Sequence, residues 1–508
     1  MLAAFQQGII DVLAPEMLLW ILFGAVIATF LGVIPVLGGE LGVTLLIPFI
    51  VGMNPAIAMC FLLALDSVSC TGGSMTSILL NVPGTLINAA TCIDGYPMTQ
   101  KGEGGRAIGA ALVASAFGGI FTVPLALLMI PVLVPFILTF KSPEMFLLIV
   151  SGLCFLSALT TKGNMLKGLI SAVLGLMLAT VGAQAETGVG RFTFRYAHLY
   201  GGLPLIVIVL GMYALPAMMD LYGQKDAIAK IADDASFHDR AQMRQGALDC
   251  WRHKWLTAKS AVVGYVIGVI PGIGAFTSTF LTYGMAKKSS KTPEAFGHGC
   301  VEGVIAPEAA NNAKESGGLL TTMAFGIPGT GTMAIIMAAL MVLGLQPGPM
   351  MLTSQTALCI TMEASIAIAN LFAVIMVWFG APFLTKLTRI NPCYLFACII
   401  PIIFMGAWAQ GGFLFDLFAV VVTGIVGYCV RVYGYSAPSL ILGFVLGGDL
   451  EFYLWKSLDR YGPWFLFYSP VSVTLFLICA ALLLNQPLMK LWQFILAKYV
   501  AAKQGGVS

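Results

Sequence analysis

The chain has 508 residues, of which 59% are hydrophobic and 10% charged. Its mean hydropathy is +0.93, whereas soluble domains carry charge on about a quarter of their residues, so a soluble globular protein is excluded. A net charge of +3 is small for this length and offers no basic patch of the kind that nucleic-acid binding needs, which leaves a polytopic membrane protein.

The first segment, MLAAFQQGIIDVLAPEM, has no Lys or Arg for a basic n-region, so no signal peptide is expected. No Lys or Arg occurs before Lys101, and the positive-inside rule therefore puts the N-terminus, with Asp11 and Glu16, outside. The first irregular point is Ile34-Pro35-Val36-Leu37-Gly38, followed by Gly39 and the acidic Glu40. The second is Thr71 to Thr85, TGGSMTSILLNVPGT. Beyond it, DGYPMTQKGEGGR, Asp94 to Arg106, reads as a cytoplasmic loop. The uncharged run Ala107 to Phe140 fits one tilted or kinked helix, with Pro124, Pro131 and Pro135 as breakers. Further spans are expected at about 145–161, 167–185 and 197–219. Residues 220–259 mix basic and acidic side chains and read as a cytoplasmic helical linker between two membrane halves, 1–219 and 260–485, with 486–508 a cytoplasmic tail.

The second half begins with Ile270-Pro271-Gly272-Ile273-Gly274 and continues to Ser316 to Thr332, SGGLLTTMAFGIPGTGT, inside 47 residues without a charge. Such a run holds at least two membrane elements, since one helix needs about 20 apolar residues. Pro328 lacks an N–H, and Gly326, Gly329 and Gly331 permit unusual dihedrals, so a broken helix or a re-entrant hairpin is expected. Irregular backbone at membrane depth survives only where protein or a watery cavity satisfies it, so the break points to a buried site. Later spans are expected near 355–380, 393–409, 413–430, 436–448 and 464–484, for about 11–13 membrane elements in all.

Thr71 to Thr85 aligns without a gap on Ser316 to Thr330, 245 residues later, and the two shorter Pro motifs are 236 apart. Basic residues follow the first long motif, whereas Arg252, Lys254, Lys259, Lys287, Lys288, Lys291 and Lys314 precede the second. The two copies are therefore expected to enter the membrane from opposite sides. The fold class is an all-α polytopic membrane protein with two inverted-topology repeats and broken helices, the layout of a secondary transporter.

Pro35, Gly38, Gly39, Pro271, Gly272 and Gly274 are the expected helix-break residues. For an anionic substrate, backbone N–H groups of helices starting after Pro83-Gly84-Thr85 and Pro328-Gly329-Thr330 can act without a formal positive charge. Gly72, Gly73, Ser74, Asn81, Gly317, Gly318 and Thr332 complete the candidate substrate set. For a coupling cation, Na⁺ or H⁺, the candidates are Asp66, Thr76, Thr321 and Thr322, with Glu308, Asn311 and Asn312 on one face of a helix if Pro307 begins it. The alternative is structural: Gly-Gly for close packing, hydroxyls bonding their own helix, Glu308 in a surface helix cap, and Asp66 and Glu40 at an interface. His298 and Glu302 share a face, but no second His or Cys at ligand spacing completes a metal site. The eleven cysteines show no C-x-x-C and read as buried thiols. No P-loop appears, so ATP is not the driver and no cofactor is expected.

The runs PEAFGHGCVEGVIAPEAANNAKESGG and FGIPGTGTMAIIMAALMVLGLQPGP, with SILLNVPGT and DGYPMTQKGEGGRAIGAAL, closely resemble the large membrane subunit of tripartite tricarboxylate transporters, the TctA family. The resemblance spans about residues 20 to 350. It implies a bacterial inner-membrane permease, not an enzyme, that imports carboxylates such as citrate on a cation gradient. It further implies two partners, a small four-helix TctB-like membrane subunit and a TctC-like periplasmic solute-binding protein. The chain departs from the family pattern at Pro35-Val36-Leu37-Gly38, where Pro-Gly-Leu-Gly is usual, and at Leu65 to Cys70, which replaces a Tyr- and Gly-rich segment. The rival classes are a channel and an intramembrane enzyme; the latter would need a base or metal at depth, whereas all four histidines lie near charged loops.

Overall fold

The computed structural model describes residues 2–34, 38–160, 165–184, 187–223, 240–270, 275–387 and 392–483. Helices α1 (Leu2–Val12), α2 (Pro15–Val33), α3 (Gly39–Ile50), α4 (Pro55–Leu80), α5 (Ala89–Gln100) and α6 (Gly104–Ile137) form the first stretch. Then come α7 (Ser142–Thr160), α8 (Met165–Ala179), α9 (Leu205–Val209) and α10 (Leu215–Gly223), the last two joined by a π-helical turn, Leu210–Ala214. After these follow α11 (Arg240–Arg252), α12 (Lys254–Val269), α13 (Ala275–Ser289), α14 (Val301–Phe325) and α15 (Gly331–Val342). The chain continues through α16 (Pro349–Ser354), α17 (Thr356–Leu387), α18 (Pro392–Trp408), α19 (Leu414–Val432) and α20 (Ala437–Tyr461). The strands among the described residues are a single antiparallel pair, Gly182–Ala183 with Gly190–Arg191.

Seven helical stretches among the described residues are long and apolar enough to cross a membrane, and six shorter apolar helices accompany them. The protein is thus an all-α, multi-pass membrane protein. On α6 the side chains of Leu128, Val132 and Phe136 are exposed, the arrangement expected where lipid is the solvent. Its three prolines sit inside one continuous helix, so they do not break it as the sequence suggested they could. α14 falls outside the seven because Glu302, Glu308, Lys314 and Glu315 lie along it.

Two compact units cut across the order of the chain. One draws on Met1–Leu138 and Gly201–Tyr433, the other on Thr139–Tyr200 and the chain from Gly434 onwards. In the second unit α20 packs on α8 so closely that a Cβ at Gly175 would meet the Leu440 carbonyl at 1.9 Å. Arg191 holds Glu451 there with both guanidinium arms, at 3.0 and 2.8 Å. The first unit contains both Pro-Gly-Thr motifs. One of its apolar clusters joins Met75 and Ile78 of α4, Met98 of α5, Ile108 and Leu112 of α6, Met243 of α11, Val304 of α14 and Val377 of α17.

Within residues 220–259 the structure describes a packed helix, α11. Gly109 and Gly246 let α6 and α11 touch backbone to backbone, and Arg106 donates to Asp249 at 2.6 Å. Residues 224–239 lie outside the described residues, as do the helix-break candidates Pro35, Pro271, Gly272 and Gly274.

Candidate functional site

The two long motifs fold alike. α4 starts with Pro55 in its first turn and Asn54 as N-cap, whose Oδ1 accepts the Ala56 N–H at 2.9 Å, and it stops at Asn81 in the left-handed region, φ 56°. α14 stops at the equivalent position, Gly326, φ 66°. Asn tolerates that conformation and Gly adopts it freely, so each helix ends where the sequence supplies the appropriate residue. After Asn81 the chain doubles back until Gly84 N–H reaches the Gly73 carbonyl at 3.4 Å, and α5 then advances until Thr99 Oγ1 donates to the Ile78 carbonyl at 2.8 Å. After Gly326 the chain likewise returns to Gly318, and beyond α15 the Gly348 N–H donates to the Met323 carbonyl at 3.0 Å. Both are broken helices.

The glycines explain why. A Cβ on Gly72 would lie 2.9 Å from the Thr29 carbonyl and 3.1 Å from Gly32 Cα; one on Gly317 would lie 2.3 Å from the Tyr265 carbonyl and 3.1 Å from the Gly268 carbonyl carbon. A Cβ on Gly84 would sit 2.4 Å from Gly73 Cα and 2.7 Å from the Gly32 carbonyl; one on Gly329, 2.8 Å from Gly318 Cα and 2.6 Å from the Gly268 carbonyl. Thr29 and Gly32 of α2 correspond to Tyr265 and Gly268 of α12 at the 236-residue spacing, so each repeat packs the same backbone atoms against each other. These helices approach as closely as small residues allow, and the irregular segments are held by backbone contact.

The two motif helices cross antiparallel, with Asp66 facing Glu315, Thr71 bonded to Asn312 and Ser74 bonded to Glu308. Polar side chains line this crossing. Glu308, fully buried, accepts from Ser74 Oγ at 2.7 Å, Ser115 Oγ of α6 at 2.7 Å and Thr91 Oγ1 of α5 at 2.5 Å. Three hydroxyl donors give its carboxylate the solvation that water would otherwise supply. Asn88 bridges the first tip to the same point, donating to Ser74 Oγ at 2.9 Å and the Cys70 carbonyl at 3.0 Å while accepting from Thr85 Oγ1 at 2.6 Å. Asn312 donates to Thr71 at 3.0 Å and to Asn370 of α17 at 2.5 Å; Asn370 donates to Ser67 at 2.8 Å.

Around this network several buried polar atoms have no partner: both side-chain ends of Asn311, Asn312 Oδ1, Asp66 Oδ2, Glu315 Oε2, Ser316 Oγ, both oxygens of Glu363 and Tyr265 OH. Glu363 of α17 faces Ser316 without completing a hydrogen bond to it. Unmet groups at this density are costly unless something polar binds among them. A small cavity of about 10 Å³ adjoins, lined in part by Thr71, Ser74 and Ile108.

The other sequence candidates separate clearly. Thr76, Thr321 and Thr322 bond carbonyls of their own helices, Gly73, Gly317 and Gly318, and Thr321 also reaches the Val269 carbonyl at 2.9 Å. Thr330 caps α15, accepting from Met333 N–H at 3.2 Å, and Thr332 is buried in the first turn of the same helix. The first tip has no matching cap. There Leu86–Asn88 form a 3₁₀ turn and α5 starts at Ala89 without a side-chain N-cap, because Thr85 is bonded to Asn88 instead. Gly38, at φ 32°, is within 3.4 Å of Thr85 measured from a notional Cβ, and Gly39 lies against Asp66 and Ser69. Glu40 is accessible in the first turn of α3. The tips differ in exposure: Asn81 is exposed and Val82, Pro83 and Thr85 are partly so, whereas Gly326 to Thr330 are all buried.

Two expectations are corrected. Pro307 does not begin a helix; α14 starts six residues earlier at Val301, with Pro307 inside its second turn, so Glu308, Asn311 and Asn312 sit in a helix interior, not at a surface cap. Lys314 is not a loop charge but is 2% exposed and paired with Glu315 in that same interior. Sequence reasoning missed Thr91, Ser115, Asn370, Glu315 and Glu363. Glu363 had a signal, being the sole charged residue between Glu315 and Lys386. Asp94 was read as part of a loop, yet it is buried in α5. Its Oδ1 accepts the N–H groups of Gly297, Gly299 and Cys300, each at 2.9 Å, and its Oδ2 accepts Tyr283 OH, so it anchors the turn that launches α14.

The sequence comparisons agree with this architecture. A 32% identical relative from Agrobacterium vitis, an uncharacterized 52.8 kDa protein in the TAR-I ttuC' 3' region, aligns over 90% of both chains. A second, an uncharacterized protein in the TAR-II ttuC' 3' region of the same organism, is 37% identical over 38% of this chain and 81% of its own length. No solved structure matches. The profile of the tripartite tricarboxylate transporter TctA family matches residues 18–442, and with the all-α membrane fold already described, the chain belongs to that family.

Proposed function

We propose that this protein is the large permease subunit of a binding-protein-dependent secondary transporter in a bacterial inner membrane. It imports carboxylates, a tricarboxylate such as citrate or a related di- or monocarboxylate, on a Na⁺ or H⁺ gradient. Its partners are a TctB-like small membrane subunit and a TctC-like periplasmic binding protein, and its N-terminus is periplasmic and its C-terminus cytoplasmic. The observation that carries the reading is the pair of equivalent broken helices crossing antiparallel over a buried polar seam, which is how an inverted repeat builds a central site. Support for alternating access, of elevator type in this reading, comes from the unequal exposure of the two tips, since a state open on one side covers one repeat and uncovers the other.

In this mechanism the substrate carboxylates meet backbone N–H groups and hydroxyls at the tips, Thr85 and Thr330 among them, while a cation enters the seam of Asp66, Glu308, Asn311 and Asn312. The test is uptake of a labelled carboxylate panel by proteoliposomes holding this chain and its small subunit, with the binding protein outside and Na⁺ or H⁺ gradients imposed. Accumulation above equilibrium that needs the binding protein is expected. Thr330→Val should cost about 1 kcal/mol of capping and lower uptake at limiting substrate about tenfold. Downhill flux without the binding protein would instead identify a channel.

A further inference from the structure

Lys314, Glu315 and Asp66 form a charged group of which the transport reading above uses only Asp66. All three are at most 3% exposed, at the crossing of α4 and α14. Lys314 Nζ is paired with Glu315 Oε1, and its other charged or titratable neighbours are Asp66 and Cys70 of α4. Asp66 in turn faces Glu315 and Lys314 of α14 and Glu40 of α3. Glu40 is near Arg431 of α19, but that guanidinium is already paired with Asp220. On the far side, α17 presents Glu363 to Ser316, the residue after Glu315.

Two carboxylates facing each other in a dry helix crossing repel, and each is costly to desolvate unless a positive charge meets it. One ammonium serves both, paired with Glu315 Oε1 and acting on Asp66 through charge alone. Asp66 Oδ2 and Glu315 Oε2 remain buried without a hydrogen-bond partner, on side chains that face each other, so both still offer hard oxygen lone pairs at the same helix crossing. That is the donor set of a monovalent-cation site. Glu308, a few residues earlier on the same helix, makes the contrast: three hydroxyls satisfy it, and it needs no cation to be stable.

We propose that the ammonium of Lys314 is a resident cation occupying a monovalent-cation site built from Asp66 and Glu315, so that this site takes no alkali ion in the native protein and accepts Na⁺ once the lysine is removed. The tether fixes one positive charge in the seam through the whole cycle, so Asp66 leaves the coupling set given above, and any ion that couples transport binds at the rest of that set, beside Glu308 and the unpartnered atoms of Asn311 and Asn312. The proposal deepens the coupling reading above, but its test involves no carboxylate uptake, so failure of one leaves the other standing.

The measurement is the melting temperature of the purified full chain in detergent as Na⁺ replaces choline at constant ionic strength, for the native protein, Lys314→Gln and the double variant Lys314→Gln/Glu315→Gln. Ligand stabilisation grows with the logarithm of ligand concentration, so Lys314→Gln should show a rise in Tm with Na⁺ in excess of any rise in the native protein, and the double variant should lose that excess. If Lys314→Gln folds only in Na⁺, that supports the same site. Equal Na⁺ responses in Lys314→Gln and the native protein would overturn the proposal. So would a single variant that no Na⁺ concentration rescues while the double variant folds.

Discussion

Gly84→Ala and Gly329→Ala should each reduce uptake more than about tenfold while the protein still reaches the membrane. The added methyl at residue 84 would lie 2.4 Å from Gly73 Cα and 2.9 Å from Thr76 Oγ1, and at residue 329 it would lie 2.6 Å from the Gly268 carbonyl. These neighbours are mostly backbone, which cannot rotate away, so the tip must lift off its own helix at a cost of roughly 1–3 kcal/mol or more. Displacing a tip by even a fraction of an ångström misaims the groups that the proposed mechanism gives to the substrate. Gly284→Ala, in α13 with open space around it, is the control, and it should leave uptake unchanged and stability equal or up by about 0.5–1 kcal/mol. Uptake by either tip variant at the level of that control would show that the close glycine contacts serve packing alone.

Substituting Glu308 should separate a structural strut from a coupling group. Glu308→Leu deprives Ser74, Thr91 and Ser115 of their common acceptor, and buried hydroxyls left unpaired cost about 1–3 kcal/mol each, so a large fall in Tm is expected. Glu308→Gln keeps the shape and one acceptor oxygen, and the hydroxyls can reorient to meet the new amide. It should therefore fold and exchange labelled for unlabelled substrate, yet lose more than about tenfold of gradient-driven accumulation, because the negative charge that balances the coupling cation in the proposed mechanism is gone. Full accumulation by Glu308→Gln would reduce this residue to a strut.

The breaks were legible because their causes are local. A left-handed stop at Asn81 or Gly326, a Pro-Gly turn and a close glycine contact each require particular residue types, and the 245-residue repeat printed them twice. The seam was legible only in part. Asp66, Asn311 and Asn312 stand out as polar residues near apolar runs, but nothing local tells that Asn370 and Glu363 of one long helix will face them, since that depends on how α17 packs. Lys314 was misplaced for a related reason. A lysine beside a Glu reads as the edge of a loop, and only the start of α14 at Val301 puts it three turns deep. The resemblance between the two tips was also overread at one point, since Thr330 caps a helix and Thr85, at the matching position, is bonded to Asn88.

The claim on which the account turns is that the two repeats face opposite sides of the membrane. Cysteines introduced at Gln100 and Gln346, exposed positions just beyond the two broken helices, in a cysteine-depleted background test it with a membrane-impermeant thiol reagent on right-side-out and inverted vesicles. The account predicts labelling of Gln100→Cys from the cytoplasmic face alone and of Gln346→Cys from the periplasmic face alone. Labelling of both from one face would contradict it.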